Sequence, residues 1–233
     1  MSGPLAKAAL VQYASDQSPS PVATVFQYNP ESLVHTWSQS APRGRPGEES
    51  SNPLAVWGMP GESFDFTIYL NADDDIVSGI PQLQQAAQQS GVGARLAAIE
   101  MMLYPTAGTS SSNELTGTVT ASTGRSGRTW RLPNATLPVV LFYWNANRVV
   151  PVRVTALSTT ETLYDEDLKP RHAQAQLSLR VLTPEELVAA NPAPGSAAGL
   201  AVVAYNSTLD TRRQWAAKST SSPAGSMASQ LPH

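Results

Sequence analysis

The sequence predicts a mainly β protein, an antiparallel β-barrel or sandwich, and three runs between Leu137 and Thr183 carry that expectation. Ala173, Ala175, Leu177, Leu179 and Val181 alternate with Gln174, Gln176, Ser178 and Arg180. This is the period of a strand with one buried and one wet face. Val150, Val152, Val154 and Ala156 repeat the apolar half of the pattern, opposed by Arg153 and Thr155. The run from Val139 to Trp144 is apolar on both faces, which places it at the centre of a sheet or under cover on both sides. Short polar breaks separate the three runs, so they read as a meander.

The totals are compatible with such a fold. The chain has 233 residues, 41% hydrophobic and 14% charged, with a formal net charge of −3. That is enough apolar surface for a core. No basic field is present to draw a phosphate backbone, so a nucleic-acid partner is not expected. The absence of cysteine removes disulfides, thiolate metal sites and thiol nucleophiles together. The first residues, MSGPLAKAALVQYASDQ, lack an apolar segment of signal length, and no run reaches the ~18 apolar residues of a membrane-spanning helix. Synthesis in the cytoplasm without a signal peptide, and no direct membrane insertion, are therefore expected.

In chain order, Lys7 to Tyr13 and Val22 to Tyr28 read as a hairpin across SDQSPSP, ended by Asn29-Pro30. Leu33, His35 and Trp37 share one face of a third run. Arg43 to Pro60, rich in Gly, Pro, Ser and Glu, reads as a long loop. Phe64, Phe66, Ile68 and Leu70 then alternate with Ser63, Asp65, Thr67 and Tyr69. After Asp73-Asp74-Asp75 comes the one convincing helical stretch, from Ile80 to Gln89 and, past Gly91 and Gly93, on to Leu103, where Tyr104-Pro105 ends it. Thr116 to Ala121 and Thr129 to Leu132 predict an exposed hairpin. Thr183 is placed to cap a short helix from Pro184, with Glu185 and Glu186 in its first turn. A domain over residues 1–187 is thus followed by an extension over 188–233: a Pro/Ala/Gly linker, a short helix within Leu200 to Lys218, and a tail.

Catalytic and metal grammar is missing. His35, His172 and His233 have no ligand spacing, and structural roles are expected for them. Asp73 to Asp75 lack the glycine and distal Glu of a calcium loop, and acids at a helix start explain them. Asp165, Glu166 and Asp167 read as a solvated turn, although paired carboxylates for glycosidic chemistry stay open on sequence alone. GxSxG, GxxxxGK[ST] and GxGxxG are absent. No enzyme and no cofactor are expected. Five tryptophans are spread along the chain, a pattern that suits packing and leaves an aromatic sugar platform as the alternative.

Two stretches resemble a known family. Phe26-Gln27-Tyr28-Asn29-Pro30 through Leu33 is similar to the FxFNPxxL segment of contractile injection system tube-domain proteins, components of phage-tail-like particles often fused to a LysM module. Pro138, Phe142 and Trp144, then Pro151 to Val154, resemble that family's P-x-x-x-F-x-W-G strand and its successor, with Asn145 where Gly is usual. Tyr164-Asp165 and Pro170-Arg171-His172-Ala173 to Thr183 resemble its closing hairpin. The similarity spans about residues 5 to 187 and includes no LysM pattern.

The resemblance implies a small tail-tube barrel with one flanking helix, Gly91 to Pro105, assembled into a hexameric ring. It implies a structural role as a tube-like baseplate or tube-adaptor protein. The partners would be copies of itself, the inner tube protein, the spike or hub protein and other baseplate proteins. The polar row Gln174, Gln176, Ser178 and Arg180 becomes the candidate lumen or subunit-contact face. The alternative reading is a free-standing β-sandwich binding module directed at carbohydrate or a surface.

Overall fold

The computed structural model describes residues 6–13, 20–39, 56, 58–105, 116–121, 128–133, 137–188 and 195–219. Its strands are β1 (Ala9–Tyr13), β2 (Pro21–Val25), β3 (Leu33–Ser38), β4 (Gly61–Asn71), β5 (Thr116–Ala121), β6 (Arg128–Pro133), β7 (Val139–Asn145), β8 (Arg148–Tyr164) and β9 (Pro170–Val181). Seven of them form one antiparallel sheet in the order β2-β1-β7-β8-β9-β4-β3. β5 and β6 pair with each other as a two-stranded hairpin. The chain is therefore mainly β, with the meander β7-β8-β9 at the heart of the sheet. The expected loop Arg43 to Pro60 falls mostly outside the described residues, as do the tail from residue 220, with His233, and the side chains of Trp57 and Trp130.

The alternating apolar residues do face inward. Phe64, Phe66, Ile68 and Leu70 of β4, Ala173, Ala175, Leu177 and Leu179 of β9, Val150, Val152 and Val154 of β8, and Val140 and Phe142 of β7 are buried in one cluster. The sheet that holds them is strongly curled. β4 and β7 are three strand spacings apart, about 14 Å in a flat sheet. Yet the rings of Phe66 and Phe142 stack with centroids 5.4 Å apart, and Phe64 meets Phe142 at 5.3 Å. Side chains from both strands close across the concave face. No pairing among the described residues joins β2 to β3, so the hydrogen-bonded sheet is curled but open.

Where one flanking helix is expected, there are three: α1 (Ala72–Val77), α2 (Pro81–Ser90) and α3 (Gly93–Glu100). α1 begins directly at the end of β4, because the Asn71 side chain accepts from the Asp73 amide at 2.9 Å and caps it. α2 and α3 are separated by Gly91, whose backbone has φ +60° and ψ −130°. A Cβ there would lie 2.0 Å from the Pro170 carbonyl oxygen. That carbonyl accepts from the Val92 amide at 2.9 Å, so the break is pinned to the first residue of β9. Ala72, Ala87, Val92, Leu96, Ile99 and Met102 belong to the same inner core, as do Leu10, Phe26 and Tyr205.

The extension also differs from expectation. α4 (Pro184–Val188) forms as predicted, and the Glu186 side chain accepts from the Thr183 amide at 2.9 Å, one half of a capping box. The short helix expected within Leu200 to Lys218 is a 23-residue helix, α5 (Ala197–Ser219), started by Ser196, whose Oγ accepts from the Gly199 amide at 3.1 Å. It lies against the sheet: Ala201 and Leu187 pack with Leu141 on the outer side of β7, together with Val11, Val139 and Val149. β7 is thereby covered on both faces, which is why it is apolar on both. Thr208 fastens the helix to β8, donating to the Val149 carbonyl at 2.7 Å and accepting from its amide at 3.1 Å.

Candidate assembly surfaces

The row on the wet side of β9 is placed as the alternation requires, and it splits in two. Gln174, Gln176 and Arg180 are exposed and Ser178 is half-buried. Ser178 donates from Oγ to Asp65 Oδ1 at 2.5 Å, and Arg180 pairs with Glu186 of α4 at 2.8 Å. Those two are engaged within the chain, whereas Gln174 and Gln176 leave their amides to solvent. At the Gln174 end, Tyr69, Gln174 and Thr160 form one cross-strand rung, and Asn71, His172 and Thr162 the next. With Tyr28 they line an open cleft of about 320 Å³ that contains no charged side chain.

The residues of the family-like segment are brought together at the end of β4, and each has a structural task. Phe26 is buried against Phe66 at 5.6 Å between centroids. The Gln27 amide donates to the Asn71 carbonyl and accepts from the Asn71 amide, both at 2.8 Å. Gln27 thus extends the β4 ladder with a side chain. The Tyr28 hydroxyl donates to Asp74, a bond that raises its pKa above the ordinary phenol value. Asn29 accepts from the Ala8 amide at 2.9 Å and donates to the Ala6 carbonyl at 2.8 Å. Pro30 is buried and Leu33 half-buried. Pro138 and Phe142 are also buried, Trp144 rests on Phe142 at 5.9 Å, and the Pro170 carbonyl anchors Val92. Tyr164 is the exception, exposed at the β8–β9 turn.

Asp73, Asp74 and Asp75 diverge to Arg171, Tyr28 and Arg95 respectively. They do not converge on one ion, in keeping with the helix-start reading. Asp75 is buried, and Arg95 holds it through Nε at 2.5 Å and Nη2 at 2.7 Å. Among the described residues no three His, Asp or Glu side chains are grouped to hold a metal, and no helix is long and apolar enough to cross a membrane.

Sequence reasoning gave no sign of a second buried carboxylate. The side chain of Glu62 in β4 is 2% exposed. It accepts from Arg212 of α5 at 2.6 and 3.0 Å and lies 2.7 Å from His35 Nε2. Arg212 also covers the Trp37 ring, 4.8 Å from its centroid. Burial holds the His35 pKa below the ordinary 6.5, against the pull of Glu62. His35 is therefore neutral at pH 7 and donates to Glu62. It has the structural role its isolation in the sequence suggests.

Three backbone edges have no partner among the described pairings. Two are the outer sides of β2 and β3. The third is the far half of β8, because β7 pairs with β8 only as far as Val152. Ser158 to Tyr164 are all exposed, so this part of β8 is an open edge, while the β9 residues paired with it are held on their other side by β4. Its turn is ordered by Asp165, whose Oδ1 accepts from the amides of Asp167 and Lys169, both at 2.9 Å. The turn reading of Asp165, Glu166 and Asp167 holds.

No family model matches the chain and a search of the curated proteins finds no match, so these surfaces are read from their own geometry.

Proposed function

We propose that the protein is a non-enzymatic structural subunit that assembles edge to edge into a closed ring, as a tube-like baseplate or tube-adaptor component of a contractile injection system. The observation that supports this most directly is the set of open edges. β2, β3 and the far half of β8 each have a side with no strand partner among the described residues, and Val22, Val25 and Val34 are exposed on the first two. Exposed apolar edge strands are a liability in a free monomer and are covered when subunits pair. A head-to-tail contact between two different edges closes into a ring when the rotation permits. The uncharged amides of Gln174 and Gln176 suit a wet lumen wall, and the neighbours along the axis would be further rings of the same chain and, at the ends of such a stack, the inner tube and spike or hub proteins. The test is light scattering with negative-stain imaging of purified protein over a concentration series. Rings of sixfold mass are expected, and a monomer at every concentration would overturn the reading.

One observation favours a second reading, a carbohydrate-directed binding module. The cleft beside Tyr28 and Tyr69 offers two exposed rings with amide, hydroxyl and imidazole groups and no charge, which are the groups that hold a neutral sugar. A glycan array with Tyr69→Ala as control decides it. Signal lost in the variant supports the module, and a silent array removes it.

A further inference from the structure

Two elements present exposed large apolar side chains at opposite ends of the sheet. One is the β8–β9 hairpin. Residues 158–164 are exposed on both faces, and the turn carries Leu163 at 64% exposure and Leu168 at 78%, with Tyr164 between them. Both leucines have left-handed backbone, φ 55° and 61°. Asn, Asp and Gly adopt that conformation more readily than Leu. The bonds to Asp165 nevertheless hold the turn in this shape, with its two leucines turned to solvent. The other element is the end of α5, where residues 213–219 are exposed on every side and Trp215 is 49% exposed.

The two ends face away from each other. β9 runs antiparallel to β4, so the hairpin turn lies beyond Asn71, which pairs with His172. The end of α5 lies beyond Glu62, to which Arg212 is bound. Nine residues of β4 separate Glu62 from Asn71, about 30 Å of strand. The charges are opposite as well. The hairpin end, residues 161–173, carries Glu161, Asp165, Glu166 and Asp167 against Lys169 and Arg171, and Arg171 is paired with Asp73, whereas residues 212–219 carry Arg212, Arg213 and Lys218 and no acid. Arg213 is paired with Asp210 in an exposed i,i+3 contact, a kind of pair that exchanges readily for another carboxylate.

We infer that the acidic, leucine-tipped β8–β9 turn of one copy docks on the basic, tryptophan-bearing end of α5 of a second copy, joining copies head to tail along the strand direction. This rests on the assembly reading above and deepens it. The edges would close a ring laterally, while the hairpin and α5 would stack one ring on the next. A contact between different surfaces propagates as an open stack when its rotation closes no ring, which is the geometry of two surfaces at opposite ends of one strand direction. Leu168 and Leu163 would pack against Trp215, and the carboxylates would meet Arg213.

The cysteine-free chain provides a clean test. Leu168→Cys and Trp215→Cys are combined in the full-length protein, oxidised at low salt and run on a non-reducing gel. The two sites are exposed in one copy, and circular dichroism checks that folding is retained. A ladder beyond the dimer is expected. It should exceed by about tenfold the yield of a control pair, Leu168→Cys with Val77→Cys, because a specific contact raises the local thiol concentration far above the collisional value. Each single variant should stop at the dimer, and high salt should weaken the ladder. A ladder no stronger than the control, with rings intact by light scattering, overturns this contact alone and assigns the turn to a different protein. A ladder without rings supports the contact and overturns lateral ring closure.

Discussion

Glu62 and Asp75 stand near opposite ends of β4, and both are buried carboxylates held by two nitrogens of a helical arginine. They differ in reach. Asp75 is bound by Arg95, 20 residues along the chain, and the same corner receives Gln27 and Tyr28. Glu62 is bound by Arg212, 150 residues away, on a helix whose first part packs on the outer side of the sheet through Ala201 and whose Tyr205 reaches the inner core. The first clasp knits the family-like segment, the end of β4 and the three-helix insertion into one corner. The second joins α5, which supplies Tyr205 to the core, to β4 and, through His35, to β3. A buried carboxylate costs free energy to desolvate and is strongly destabilising only when its partner is removed, so each clasp fixes geometry more than it adds stability. The comparison separates a corner on which the whole domain depends from a latch on a single helix.

The largest effect falls on the strand between the two. Leu179 is fully buried, and Leu179→Asp sets an unpaired carboxylate in the core. A loss above about 5 kcal/mol is expected, comparable to the total stability of a domain, and far-UV circular dichroism should show an unfolded chain. Intact soluble rings from this variant would mean that the register of β9 is wrong.

The clasps themselves come next. Asp75→Ala should cost toward the upper end of about 3–5 kcal/mol and Glu62→Ala toward the lower end, since each strands an arginine. Hydrogen exchange sharpens the contrast. Asp75→Ala should raise exchange in β1, β4 and α3 together, whereas Glu62→Ala should raise it in α5 and the adjoining β3. Equal effects across the molecule would erase the distinction.

Acid should separate the clasps more gently. His35 has a folded-state pKa below the ordinary 6.5, so the unfolded chain takes up its proton first. The stability His35 contributes is complete above 6.5 and is lost as the pH falls through the folded value. Glu62, Arg212 and Arg148 are the charges around it. Wild type should lose stability on acidification relative to His35→Gln, and α5 should loosen before the Asp75 corner. A parallel response of the two proteins in chemical denaturation would remove His35 from the latch.

The smallest effect is expected at Gln176→Glu, an exposed amide with no side-chain partner among the described residues. Stability should stay within about 0.5 kcal/mol, while ring mass or cargo passage changes if the row lines a lumen or a contact. An unchanged assembly would take Gln176 off that surface.

The strand content was legible because burial leaves a record in a strand. Leu177 and Leu179 face the core while Gln176 and Arg180 face water, and the period of two survives any partner. The capping residue Thr183 was legible for a similarly local reason. α5 was only partly visible, because Ala197, Ala198 and Ala201 pack it with small side chains that give little hydrophobic contrast. The two clasps left no trace. Nothing near Glu62 in the sequence names Arg212, and nothing near Gly91 names the Pro170 carbonyl that it must admit.

By itself, then, the amino-acid order determined which faces of β4, β8 and β9 are dry, that β7 is central or covered on both sides, and that helices follow Asp73 and Thr183. These are consequences of local periodicity and capping. Only the tertiary structure decided the curl that brings Phe66 onto Phe142, the division of the insertion into three helices, the docking of α5 through Arg212 and Thr208, and the exposure of Leu163 and Leu168. Each of these depends on atoms far apart along the chain meeting within a few ångströms.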